Sequence, residues 1–130
     1  MGTQGERDMA GTVRPFYTKV RGAKHKNADG SSRQRHIAKC QPLDPLKLVP
    51  EPENPADPNA VQVRWRGKQI GYCSKRLAHE ITQGREEGRR FRACVANVSG
   101  TYGNWGLNIV VVAAEPGTSE RQIKRHLREE

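Results

Sequence analysis

The segment from Glu51 to Cys73, EPENPADPNAVQVRWRGKQIGYC, restricts what this chain can fold into more than any other. Pro50, Pro52, Pro55 and Pro58 have no backbone N–H, and each restrains the residue before it to extended geometry. Between them, Asn54, Asp57 and Asn59 carry short side chains that bond their own backbone and favour turns. The pattern then switches. Ala60, Val61, Val63 and Trp65 sit among Gln62, Arg64 and Arg66, the period of a half-buried strand. Arg66-Gly67 reads as a hairpin turn, and Lys68 to Cys73 returns as a second strand with a glycine at 71. A rigid polar loop delivered onto a hairpin holds a few polar side chains in fixed positions. It is either a structural corner or a binding loop, and spacing alone leaves both open.

The rest of the chain supplies short elements of the same kind. Arg14 to Val20, RPFYTKV, reads as a first strand with Phe16, Thr18 and Val20 on one face and Tyr17 and Lys19 on the other. One aromatic then points inward and its neighbour outward, unless a bulge buries both. Only 5% of residues are aromatic, so an outward ring is a candidate for base stacking. The basic loop from Arg21 to Ser32 is long for so small a domain, which suggests function or mobility. Ser31 or Ser32 caps a short helix to Cys40, and Leu46, Leu48 and Val49 form a short strand. Ser74 caps a helix to about Gln83 with Leu77, Ala78 and Ile81 as its buried stripe, and residues 84–88 read as a charged turn. Arg90 to Val98 alternates as a strand with a slip before Val98, and Ser99 to Gly106 reads as a Gly/Asn turn. Leu107 to Ala114 is apolar apart from Asn108, so it is a central strand or one buried on both faces. Thr118 or Ser119 opens a last helix with a thin apolar face of Ile123 and Leu127, either docked or a frayed tail. Five or six short strands with short helices predict a mainly β fold, a small β-barrel with helices. The boundaries are a disordered tail over 1–13, a domain over 14–114 and a charged helix or tail over 115–130.

Charge narrows the partners. The chain carries +9 overall, yet residues 41–59 hold four acids against one lysine, so a basic protein contains one acidic segment. It is the proline-rich loop. Basic surface attracts nucleic acid, anionic lipid or acidic protein, and charge does not choose among them. No run approaches a membrane span and the N-terminus is too polar for a signal peptide, which predicts a soluble, cytoplasmic protein. Cys40, Cys73 and Cys94 form no CxxC pair and the four histidines show no ligand spacing, so reduced thiols and no metal site are expected. The sequence has no GxxxxGK[ST], GxSxG or HExxH motif; no catalytic residue, enzyme activity or cofactor is expected.

Asn54-Pro55-Ala56-Asp57-Pro58-Asn59-Ala60-Val61, followed by Ile70-Gly71-Tyr72 and Leu77-Ala78, with Phe16-Tyr17-Thr18 upstream, resembles the signature of the HIRAN domain family over residues 14–114. The resemblance implies an OB-like β-barrel that binds the 3′ end of single-stranded DNA, in DNA repair or replication-fork processing. By position, Arg14, Phe16 and Tyr17 would sit at the pocket mouth, with an aromatic stacking on the terminal bases. Arg14 and Lys75 would contact phosphates. Asn54 and Asp57 would face the terminal sugar, Asp57 accepting from the 3′-hydroxyl, and Tyr72 would line the pocket. Two positions depart from the family pattern: Ala56 stands where an aromatic is usual, and Phe16 where tyrosine is common. HIRAN domains are often attached to helicase-like ATPases, so a helicase or nuclease acting in trans is the implied partner, with no membrane and no small-molecule substrate. Two other readings stay open: a protein-interaction module docking an acidic partner, and RNA-end binding.

Overall fold

The computed structural model describes residues 13–129. Of the tail expected over 1–13, residues 1–12 lie outside the described residues, and Val13 already belongs to β1. The elements are β1 (Val13–Lys19), α1 (Arg33–Ala38), β2 (Pro45–Pro50), β3 (Val61–Trp65), β4 (Lys68–Tyr72), α2 (Lys75–Glu86), β5 (Arg90–Thr101), β6 (Asn104–Ala114) and α3 (Glu120–Glu129). The six strands form one antiparallel sheet in the order β1-β6-β5-β2-β3-β4. The sheet curls until its ends meet. Arg21, just past β1, pairs with Tyr72 of β4 through two main-chain hydrogen bonds of 2.8 and 2.9 Å. The result is the OB-like barrel with short helices that the sequence pattern and the resemblance imply.

Gly71 makes that closure possible. Its φ is +152°, and a Cβ there would fall on the carbonyl oxygen of Arg21 and on Val20 Cγ1. Only a residue without a side chain lets the two strands approach. The β3–β4 hairpin turns through Arg66 and Gly67, both at positive φ (49° and 79°), the backbone that matches strand twist in a two-residue turn.

β6 contributes to both apolar clusters. Leu107, Ile109, Val111 and Ala113 face the barrel interior, where they join Val61, Val63, Ile70 and Val95. Val112 and Ala114 face outward under Ile123 of α3, with Leu127 packed alongside. The strand is therefore buried on both faces, each full burial of a branched side chain stabilising by about 1.5–3 kcal/mol. Ser32, Ser74 and Ser119 accept from main-chain N–H groups three residues on, capping α1, α2 and α3. All three cysteines are free and buried, and burial pushes the Cys73 thiol up to about 12, where it is unreactive. Among the described residues no helix is long and apolar enough to cross a membrane.

Two boundaries differ from the sequence reading. α2 continues through Glu86, so Gly84 lies inside a helix and not in a turn. The reason is packing: a Cβ at Gly84 would come within 2.6 Å of the Phe91 ring, so the helix needs glycine to lie on β5. The turn expected over 99–106 is instead a continuation of β5 and β6, which pair as far as Thr101↔Asn104 and leave only Tyr102-Gly103 at the tip. The register shift between Val95 and Asn97 re-phases the strand, so alternation read straight through misses its second half.

Closure at Gly71 predicts a large cost for Gly71→Ala. It should destabilise the fold by about 2–4 kcal/mol in denaturant unfolding, from overpacking and a strained backbone together. Gly67→Asn, at an open turn position, should change stability by under about 1 kcal/mol. Equal effects of the two substitutions would contradict the closure argument.

Candidate nucleic-acid interface

The loop between β2 and β3 is held by its own polar groups. Asn54 Oδ1 accepts from Ala56 N at 2.8 Å and Asp57 N at 3.2 Å, while Asn54 Nδ2 donates to Glu51 Oε1 at 2.9 Å. Asp57 Oδ1 accepts from Asn59 N at 2.9 Å. Asp57 is half-buried and forms no ion pair among the described residues, so its second oxygen is available to a donor from outside. Asn54 is occupied with shaping the loop that presents it.

Glu51 is the hub that sequence reasoning missed. Its carboxylate accepts from Asn54, from Gln62 and from the Tyr72 hydroxyl, the last at 3.0 and 3.2 Å to its two oxygens. Partial burial alone would raise its pKa; the three donors and the charge of Arg33 outweigh burial and hold it below the usual carboxylate range.

Tyr72 connects this acidic loop to the basic one. The Arg33 guanidinium lies over its ring, 5.6 Å from the centroid. Arg33 is only 7% exposed; its Nη1 donates to Gly22 O at 2.8 Å and its Nε to Asn27 Oδ1 at 2.7 Å. The 21–32 loop is thus tied down, and its long insertion forms one wall of a cleft. That cleft, about 510 Å³, lies between residues 19–25 and the β5–β6 hairpin, and Lys19, Arg21, Lys24, His25 and Trp105 line it. Gln34 of α1 sets its width: Nε2 donates to Ala23 O (3.0 Å) and Trp105 O (2.8 Å), and Oε1 accepts from Trp105 N (2.6 Å). Four cationic or titratable side chains beside one indole suit a polyanion that stacks.

The residues expected at the site fall into three groups. Asn54, Asp57 and Tyr72 come together through Glu51, and Tyr72 reaches the cationic cleft through its pairing with Arg21. Arg14 lies 5.7 Å over the Phe16 ring, and Phe16 packs on the edge of the core. Phe16 and Tyr17 line a separate recess of about 330 Å³ with Ser74, Arg76 and Leu77; Lys75 is exposed on the same first turn of α2. Tyr17, 60% exposed, points to the opposite face of β1. Phe16 and Tyr17 point to opposite faces of β1, a regular strand without a bulge, yet both border that recess. Lys24, His25, Arg33, Gln34 and Trp105 were absent from the sequence-based set. The only signal for them was the unusual length of the 21–32 loop. Among the described residues no three His, Cys, Asp or Glu side chains come together as metal ligands.

An OB-like barrel that joins an acidic, carboxylate-bearing loop to a cationic cleft defines the class. The HIRAN domain model matches residues 15–111, three quarters of the chain, and the chain belongs to the HIRAN domain family. Among solved structures, it is similar to the HIRAN domain of human HLTF, at 16% identity with a TM-score of 0.59, covering 88% of this chain and 84% of that one. It is also similar to a protein from Lactobacillus plantarum, at 14% identity with a TM-score of 0.59, covering 78% of this chain and 96% of that one. No curated protein matches it.

The Glu51 hub has a pH signature. Its folded pKa lies below the ordinary 4.5, so the stability it contributes is complete above that value and is lost as pH falls through the lowered one. Glu51→Gln should destabilise the protein by about 1–2 kcal/mol at neutral pH. The gap should shrink below the ordinary carboxylate pKa, measured by urea unfolding across the acid range. A gap independent of pH would mean that the ionised carboxylate is not the hub.

Proposed function

We propose that this domain binds single-stranded DNA and recognises a free 3′-hydroxyl end, in DNA repair or replication-fork processing. The observation that carries the reading is the junction at Tyr72: a cationic cleft with an indole wall on one side, and on the other a pinned loop with an uncommitted carboxylate. Lys19, Arg21 and Lys24 would hold phosphates, and Trp105 would stack a base. A carboxylate repels phosphate, so Asp57 suits a group with a donor and no charge, such as a terminal hydroxyl. The charged side chains test for a chain end while stacking accepts any base. Arg14, Phe16 and Lys75 would hold the strand along the first turn of α2. These 130 residues contain no phosphate-binding loop, so an ATP-driven step would come from a helicase outside them, and a helicase or nuclease acting in trans is the proposed partner.

Two measurements test this. Affinity for a short strand should fall with salt at a log–log slope of roughly −2 to −3, for about three or four phosphate contacts at about −0.7 each. A flat response would remove the electrostatic part. The wild type should favour a 3′-hydroxyl over a 3′-phosphate by about tenfold or more, since like charges about 4 Å apart repel by roughly 1–4 kcal/mol. Asp57→Asn should narrow that preference and leave a 5′-phosphate without effect. Equal affinity for the two 3′ ends would eliminate end recognition by Asp57. Ribo-oligonucleotides in the same titration decide between DNA and RNA.

A further inference from the structure

Tyr17 and Lys19 face away from the barrel interior, into a second cleft of about 660 Å³ on the outer face of the sheet. Strand register orders its floor. Tyr17 lies opposite Val110, which lies opposite Cys94, giving an apolar row. One step along, Lys19 lies opposite Asn108, which lies opposite Asn97, giving a polar row. The two amides are bonded to each other, Asn108 Nδ2 to Asn97 Oδ1 at 2.7 Å. That bond uses the Asn97 oxygen and leaves its NH₂ as donor beside the Asn108 oxygen as acceptor. Leu43 closes the mouth. It is 53% exposed and held at φ 73°, a conformation that costs leucine about 1–2 kcal/mol, by its N–H bond to Val95 O at 2.8 Å.

This combination has a specific chemistry. An exposed phenol ring gives a stacking wall, and the apolar floor is of the kind that accepts a planar ring. An adjacent donor and acceptor match the edge that every nucleobase presents. Lys19 lines this cleft and also the cationic one, and Ser99, which lines the cationic cleft, lies 3.5 Å from Asn108 Nδ2. The two clefts are therefore continuous across one lysine. An acidic amphipathic peptide would use the apolar floor, but it has no need of the amide pair or of a path into the cationic cleft.

We infer that the outer-face cleft is a second nucleotide subsite. It takes a base several positions 5′ of the end, stacked on Tyr17 and hydrogen-bonded by Asn97 and Asn108, with Lys19 on the intervening phosphate. The inference rests on the single-strand reading above.

The test compares strands of about 4 and about 12 nucleotides with free 3′ ends by fluorescence anisotropy. The longer strand binds more tightly, and abasic residues through its 5′ half abolish that gain while leaving its phosphates. Asn97→Ala and Asn108→Ala each weaken the long strand by about tenfold and leave the short strand unchanged, and Tyr17→Ala weakens the long strand more than the short one. Tyr17→Phe, which keeps the ring, behaves as wild type. In amide NMR spectra, the Asn97 and Asn108 side-chain signals move with the long strand only. If abasic residues leave the gain intact, or if Tyr17→Ala affects both lengths equally, the subsite is wrong while end binding stands. If neither strand binds, the single-strand reading falls and the subsite with it. An acidic helical peptide that then shifts the Tyr17 and Leu43 signals would assign the cleft to protein docking.

Discussion

The pairing of Arg21 with Tyr72 does more than close the barrel. An open six-stranded sheet would leave β1 and β4 as free edges, each a row of unpaired donors and acceptors. The two main-chain bonds join those edges at one point and fix Arg21 and Tyr72 as cross-strand neighbours on the same face. The chain on either side of the joint then has little freedom. The 22–32 loop starts at Arg21, the acidic loop bonds the Tyr72 hydroxyl, and Arg33 fills the angle between them. Gly71 is the steric condition for all of it, since any side chain there would push the strands apart.

Charge is distributed around that joint with an economy that the overall balance hides. Among the described residues no carboxylate pairs with the buried Arg33, and carbonyl and amide oxygens and the Tyr72 ring compensate its desolvation. Glu51, nearby, is ionised and satisfied by neutral donors. The two charges stabilise one another across the tyrosine without forming a direct ion pair, which leaves the ring as a rigid spacer between an acidic and a basic loop. Polar networks of this kind are costly when half made and rigid when complete. The rigidity matters because Asp57 inherits its position from Asn54, and Asn54 from Glu51.

Much of the framework was legible in the sequence because it rests on local rules. Alternation in Val61–Trp65, the Arg66-Gly67 turn, the serine caps and the doubly buried β6 follow from period, φ preference and short-range hydrogen bonding. What escaped depends on contacts between distant segments. Gly84 looks like a helix breaker until Phe91 is placed against it. The strand through 99–106 looks like a turn because its glycines are read for flexibility, whereas the bulge before Asn97 re-phases the pairing. Trp105 looked like a turn residue, and Gln34 like an ordinary helix-surface position, though Gln34 bonds the Trp105 main chain across seventy residues of sequence. The adjacent aromatics 16 and 17 point to opposite faces of β1, as period two requires, and still border one recess against α2.

The family-typical aromatic is alanine at position 56, and this changes where a stacked ligand can be held. Seven aromatic residues are present in all, and most are committed. Trp65 and Phe91 are in the core, Phe16 packs on its edge, and Tyr72 is clamped between Arg33 and Glu51. Trp105 also packs on the core edge, but it and Phe16 each line a recess, and Tyr17 and Tyr102 are exposed, the last 94% at the hairpin tip. These four belong to β1 or the β5–β6 hairpin, and none to the acidic loop. A ligand held at the acidic loop would therefore have to leave that loop to find a ring to stack on. Without a ring at 56 the loop offers hydrogen bonding alone, so under the proposed single-strand reading holding power and end selectivity would reside in different parts of the surface.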